Sequence, residues 1–388
     1  MVTPFDESTR DFQAVLRDFC RDRVMPGAAD RDREARHPAE LVAALADLGA
    51  MGITVPEEFG GLGLDMVTQV MAIEEVAYAD ASLASVLAGH YLGMESIRAF
   101  GTDEQKDRYL PGVADGSHRF AFALTEPDAG SDISGIRTVA RRAGGAWELR
   151  GHKTFISNAR ESRSIIFFAK TDAQAGIRGI TAFIVPSDHP GLTFSSPIGK
   201  LGIRGEHAYE ITLDGVTVGE DAVLGDVGGG SRIALETLNS ARIDVAAIAS
   251  GVGLRALDLA VKYASERVQF GAPIRDLQAV QMLLADIDAW VRSGRSLAYD
   301  AAAARDRGED VRHAGSIAKY VASENCSKAV DASLQVHGGY GFTTELEIER
   351  LYRDSRILRI YEGTSQIQQI TVARLLTRMY DRSGTVRP

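Results

Sequence analysis

The chain has 388 residues, 45% of them apolar and 25% charged, ordinary globular values that exclude global disorder and collagen-like repeats. A formal charge of −10 argues against a protein that wraps nucleic acid, which needs a basic surface, while leaving room for a local basic patch. At roughly 100–200 residues per domain, the length allows two or three domains.

From Ser8 to about Tyr109 the pattern is helical. Phe12, Val15, Leu16, Phe19 and Val24 recur at three- and four-residue steps and form one apolar stripe. Pro26 ends that helix or lies just beyond it, because proline cannot donate to the helical ladder. Leu41, Val42, Leu45 and Leu48 form a second stripe, closed by Gly49 and Gly52; Pro56 to Gly63 reads as a loop, and helices resume from about Asp65. The longest run without Asp, Glu, Lys or Arg, Ala81 to Met94, is shorter than the ~20 apolar residues of a membrane span. The opening Met1-Val-Thr-Pro-Phe-Asp-Glu7 has early acids and no apolar run, so no secretory leader is expected.

From Phe120 to about Leu224 the texture changes. Ser164 to Ala169 and Ile180 to Val185 are short, β-branched and aromatic, and read as strands. Ala140 to Leu149 reads as a hairpin turning at Gly144-Gly145. Strands without intervening helices predict an antiparallel sheet or barrel. Beyond a glycine-rich break at Gly225 to Gly230, helices are expected over about 231–268, 276–307, 311–336 and 365–380, with a short piece near 345–356, which suggests a four-helix bundle. The chain is therefore α+β: an N-terminal helical domain (1–119), a middle β domain (120–228) and a C-terminal helical bundle (229–388).

Cys20 and Cys326 are far apart, which suits a reducing compartment, and the eight scattered histidines form no metal-binding pair; no protein-held metal is expected. Gly251-Val-Gly-Leu-Arg-Ala256 has the form of a dinucleotide fingerprint, but it lies within a helical run, where small residues permit close packing. In Phe122 to Asp132 a strand runs into a turn rich in hydroxyls and glycine. It is either an Asx-rich β-turn or a site offering N–H and Oγ groups to a phosphate or heterocycle. Glu362 stands between Tyr361 and Gly363. It is either a helix-entry acid that complements a dipole or a carboxyl raised by apolar surroundings into a general base.

Six segments in order resemble the acyl-CoA dehydrogenase family: Leu124-Thr-Glu-Pro-Asp-Ala-Gly-Ser-Asp132, Lys153-Thr-Phe-Ile-Ser-Asn158, Gly199-Lys-Leu-Gly-Ile-Arg204, Arg267-Val-Gln-Phe-Gly271 with Pro273-Ile274, Gln335-Val-His-Gly-Gly-Tyr-Gly-Phe342, and Tyr361-Glu-Gly-Thr-Ser-Gln366. The resemblance covers nearly the whole chain and implies FAD. Leu124, Thr125, Ser131, Phe155 and Ser157 would lie against its flavin and pyrophosphate, although the family usually has Trp at the place of Phe155 and Thr at that of Ser157. Arg267, Phe270, Gln335 and Gly339 would grip the adenosine diphosphate half of a neighbouring subunit's FAD, which implies a dimer or a dimer of dimers. Thr364 and Gln366 would also touch the cofactor.

By the same resemblance Glu362 is the catalytic base; the alternative family position is Ala241 here, which cannot take a proton. Ser131, Arg242, Tyr361 and Gly363 would contact the acyl thioester. The implied reaction is α,β-dehydrogenation of an acyl thioester, carried by coenzyme A or an acyl carrier protein, to the trans-2-enoyl thioester. Glu362 would take the α-proton while hydride passes to flavin N5, with an electron-transfer flavoprotein as acceptor and a cytoplasmic setting in fatty acid or secondary metabolism. A flavin oxidase or monooxygenase using O₂, and a flavin-bound carrier-binding module without turnover, are the alternatives; Glu362 argues against the first. The helix bearing Leu87, His90, Tyr91 and Met94 is expected to floor the acyl pocket, with bulk that suits a short or branched chain.

Overall fold

The computed structural model describes residues 5–386; residues 1–4, part of the leader reading, lie outside them. Six helices come first: α1 (Glu7–Phe19), α2 (Ala28–Glu34), α3 (Ala39–Asp47), α4 (Met66–Ala79), α5 (Ala81–Phe100) and α6 (Asp103–Ala114). The α ladder of α1 stops at Phe19, and a wider π turn and then a 3-10 turn carry the chain through Pro26. Asp80 joins α4 to α5. It accepts from Ser82 N–H at 2.9 Å, which caps α5, and pairs with buried Arg31 at 2.8 Å. Helix α5 is buried on nearly every face because it packs on α4, on a later helix of the chain and on the sheet.

The sheet contains β1 (Phe120–Ala123), β2 (Val139–Ala143), β3 (Ala146–Ser157), β4 (Ser164–Lys170), β5 (Ile180–Pro186), β6 (Leu192–Phe194), β7 (Ala208–Val218) and β8 (Val223–Leu224). Its order is β6-β7-β3-β2-β4-β5-β8, with β1 beside β4. Pairings are antiparallel as expected, except that β1 and β2 run parallel to β4. A parallel pair needs a long connection, and the excursion containing the β2–β3 hairpin supplies it. Gly144 and Gly145, at φ 60° and 84°, make that hairpin turn. Strands β4 and β5 are buried on both faces: Ile165, Phe167 and Phe183 enter the sheet's own core, while Ile166, Phe168 and Ile184 face the helices. Their unbroken apolar runs follow from that two-sided burial.

The last part holds α7 (Gly230–Glu266), a small hairpin of β9 (Val268–Gln269) and β10 (Ala272–Pro273), α8 (Gln278–Asp306), α9 (Arg312–His337), α10 (Ile348–Ser355) and α11 (Ser365–Ser383). Helices α7, α8 and α11 pack around α9 as the expected bundle. The fingerprint-like glycines serve packing: a Cβ on Gly251 would stand 2.3 Å from the Glu74 carbonyl oxygen of α4. The Gly199–Arg204 segment clamps sheet to bundle. A Cβ on Gly202 would lie 2.4 Å from the Arg353 carbonyl, and Ile203 N–H donates to buried Asp354 at 2.5 Å. Among the described residues no helix is long and apolar enough to cross a membrane.

Candidate active site

The strap between α10 and α11 is held in an unusual backbone. Glu362 and Gly363 both have positive φ, 53° and 89°. For a residue with a Cβ this conformation is sparsely populated and persists only where its surroundings over-determine it. Here the Gln368 amide donates to the carbonyls of Glu362 (3.1 Å) and Gly363 (3.0 Å), and the Lys319 ammonium to that of Gly363 (2.7 Å). Thr364 caps α11, its Oγ1 accepting from Ile367 N–H at 3.3 Å. The N–H groups of Glu362 and Gly363 donate to no described group, so the twist leaves free donors beside the carboxyl.

Glu362 keeps some solvent-facing surface although protein surrounds it densely, as befits a group lining a cleft. That surrounding pushes its carboxyl up to about 7, against the opposing pull of Lys319 and Arg242. Lys319 is itself buried and depressed to about 8. Arg242 is buried, donates to Asn239 at 2.9 Å and Ser316 at 3.3 Å, and leaves its Nε without a partner. A carboxyl that titrates near neutrality can exchange a proton with carbon acids at physiological pH.

The second cluster lies on the sheet. Thr154 N–H donates to the Thr125 carbonyl at 3.0 Å, and the Lys153 ammonium to the Leu124 carbonyl at 3.0 Å. Lys153 also pairs with Glu126 at 2.8 Å, both groups buried. The turn after β1 is thereby tied to β3. Between Lys153 and Ile156 the register of β3 slips, and Phe155 takes φ 56° and stands 64% exposed. The slip turns the ring away from the core. Ser157 is partly covered and Ser131 is exposed. The two clusters meet on one turn of α5: Asn158 donates to the Val86 carbonyl at 3.2 Å, and the buried Tyr361 hydroxyl lies beside Ser85 without a well-formed hydrogen bond.

A third group faces outward. The Arg267 guanidinium lies 5.6 Å from the centre of the Tyr340 ring, which joins the end of α7 to the end of α9. Phe270 is 92% exposed at φ 52°. Gln335 is exposed, and Gly339 has open space where a side chain would stand. Gln366 is exposed on the first turn of α11. A presented aromatic ring, an anchored turn and an arginine beside bare glycines fit a large flat cofactor with a diphosphate, as FAD is.

Sequence reasoning passed over Lys319, Gln368, Glu126 and Asp244. A lysine and an aspartate on the buried faces of long helices are the signals that could have found Lys319 and Asp244. Both cysteines are free and buried.

Three family models match in order: the acyl-CoA dehydrogenase N-terminal domain over residues 6–117, middle domain over 121–216 and C-terminal domain over 228–377. The chain is 42% identical to the 3-(aryl)acrylate reductase of Clostridium sporogenes (strain ATCC 15579), over 95% of this chain and 98% of that protein. It is 40% identical to the human mitochondrial short-chain specific acyl-CoA dehydrogenase, over 94% of this chain and 89% of that one. The solved butyryl-CoA dehydrogenase of Megasphaera elsdenii superposes with a TM-score of 0.96 at 36% identity, covering 97% of this chain and all of its own. With its fold and its motif order both matched, the chain belongs to the acyl-CoA dehydrogenase family, flavin oxidoreductases that act on CH–CH bonds.

Proposed function

We propose that the protein interconverts a saturated acyl thioester and its trans-2-enoyl counterpart, with Glu362 as the base for the α-proton. One observation carries this reading: a carboxyl titrating near 7 on a left-handed strap whose own N–H is free. A thioester α-hydrogen is weakly acidic, so the developing enolate oxygen needs a preorganised donor; such donors are typically worth ~3–4 kcal/mol each. The Glu362 N–H is one donor this chain offers. Arg242, Tyr361 and Gly363 shape the acyl side of the slot and Ser131 the handle side. Lys319 holds the strap through the Gly363 carbonyl and keeps the carboxyl from rising further. FAD, when bound, supplies the hydride acceptor.

Leu124, Thr125, Ser131, Phe155, Ser157, Thr364 and Gln366 would hold FAD within the chain, and Arg267, Phe270, Gln335 and Gly339 would hold that of a second copy, as a dimer or tetramer. Phenylalanine at 155 keeps a flat apolar face without the indole donor. The three-part division at 119 and 228 is part of the same reading, as are an electron-transfer flavoprotein as acceptor, coenzyme A or a carrier protein as handle, and a cytoplasmic setting. The test is anaerobic: butyryl-CoA bleaches the flavin of the wild type, and Glu362→Gln, with FAD still bound, bleaches ~10²–10⁴-fold more slowly. An unchanged rate in that variant removes Glu362 from the reaction. Rapid peroxide formation in air by the reduced protein would instead favour an oxidase.

A further inference from the structure

Beyond Ala241 lies a cavity of about 330 Å³ walled by α4, α5, α7 and α8. That is the lower end of the ~300–1,000 Å³ usual for small-molecule sites. Tyr91 and Met94, on the helix expected to floor the acyl pocket, line it, and Ala241 precedes the arginine that faces Glu362. Asp244, one turn further along α7, also lines it and stands within electrostatic reach of Glu362. The cavity therefore lies along α7 next to Arg242 and against the helix expected to floor the acyl pocket.

Its far end is polar, and most of that polarity is already satisfied. Glu95 accepts from Arg98 at 2.8 and 3.0 Å and from Arg305 at 2.6 Å. Asp306 accepts from the N–H groups of Met66 and Val67, and Asp65 from Thr68. Two groups are left over. Buried Asp244 accepts one hydrogen bond, from Gln69 to Oδ1 at 2.9 Å, and its Oδ2 accepts none from the described residues. Ser240 is 6% exposed, lines the cavity, and its Oγ has no partner. The Ser240 Oγ is covered on all sides, so the Asp244 Oδ2 is the free oxygen that opens to the cavity.

We infer that this cavity receives the far end of the acyl chain, and that Asp244 selects an acyl group carrying a hydrogen-bond donor, a hydroxyl or a protonated amine, over a plain alkyl chain. The inference rests on the dehydrogenase reading above and names its substrate class. Burial holds the Asp244 carboxyl well above its usual range, with Glu95 and Glu362 adding to the effect. A donor entering the cavity would relieve that penalty, whereas an alkyl end would seal the open Asp244 oxygen away from water unpaired. Sites built to bond a polar substituent reject the analogue lacking it far more strongly than apolar pockets reject an extra methylene.

The test compares 4-hydroxybutyryl-CoA and 4-aminobutyryl-CoA with pentanoyl-CoA, which has the same number of heavy atoms in the acyl chain. Anaerobic flavin reduction gives kcat/KM for the wild type, Asp244→Leu and Asp244→Asn. Dissociation constants for the same thioesters on Glu362→Gln, read from the flavin spectrum, separate binding from chemistry. At least one polar thioester should exceed pentanoyl-CoA by tenfold or more in both measures, and Asp244→Leu should abolish or reverse that ratio. Asp244→Asn should weaken an amine preference more than a hydroxyl preference, which tells the two donors apart. If Asp244→Leu does not fold, the asparagine variant carries the same comparison. Bleaching by pentanoyl-CoA as fast as by both polar thioesters, or a polar preference indifferent to these substitutions, overturns the inference and leaves the role of Glu362 standing. Failure of every thioester to reduce the flavin overturns both.

Discussion

At Glu362 two opposing effects meet, and their balance sets a pH dependence. Burial disfavours the carboxylate, while Lys319 and Arg242 favour it; burial wins, lifting the group from 4.5 to about 7. The free enzyme's kcat/KM should therefore rise with pH through about 7, as the base loses its proton, and a profile flat from pH 5.5 to 8.5 would contradict the assignment. Stability carries the opposite sign. An acid raised on folding binds more protons in the native state than in the unfolded chain. Its contribution is therefore complete below about 4.5 and is lost as pH rises through about 7. Glu362→Gln should gain on the wild type between pH 5 and pH 8 by up to about 3 kcal/mol in urea unfolding, less any solvent screening in the open cleft. The sequence could name Glu362 because a short local motif surrounds it. Gln368 holds that motif from five or six residues downstream, but Lys319 does so from α9, a tertiary meeting that nothing adjacent to it in the chain announces.

Among the elements, the long helices and the Gly144-Gly145 hairpin were legible because period and turn chemistry are local. The parallel pairing of β4 with β1 and β2 was not, since register between distant strands depends on the path between them. Nor was the left-handed Phe155 legible, because nothing local distinguishes its backbone from that of an ordinary strand residue. The device that positions it is the buried Lys153–Glu126 pair, in which Glu126 also accepts from the N–H groups of Arg137 (2.5 Å) and Thr138 (3.1 Å). Removing one partner of a buried pair leaves the other charged and unsolvated, at about 3–5 kcal/mol. Lys153→Met should therefore lower stability by roughly that amount and release FAD. The visible spectrum per unit protein, with and without added FAD, reports the second effect. A variant that keeps full flavin content would show that the pair is not what holds the turn and the bulge together.

For the whole molecule, the outward group at the ends of α7 and α9 raises the question of what covers it. Phe270 and Phe342 are 92% and 87% exposed, and Val268 and Tyr340 are each more than half exposed. Exposed apolar groups gathered in one region mark interaction sites more often than chance. Arg267 beside open glycines gives the same region an anion-binding character. A face both apolar and cationic suits a second copy that brings a bound diphosphate with it. If so, assembly and cofactor retention are coupled. Phe270→Asp with Phe342→Asp replaces two solvent-facing rings, so neither change disturbs a core, and the monomer should fold with unchanged far-ultraviolet dichroism. Sedimentation should shift from dimer or tetramer to monomer, and FAD should be lost in the same preparation, because each copy would lack the arginine and glycines supplied by its neighbour. Monomers that retain FAD stoichiometrically would separate the two effects and place the diphosphate grip within a single chain. An assembly that survives both aspartates would move the interface elsewhere on the surface.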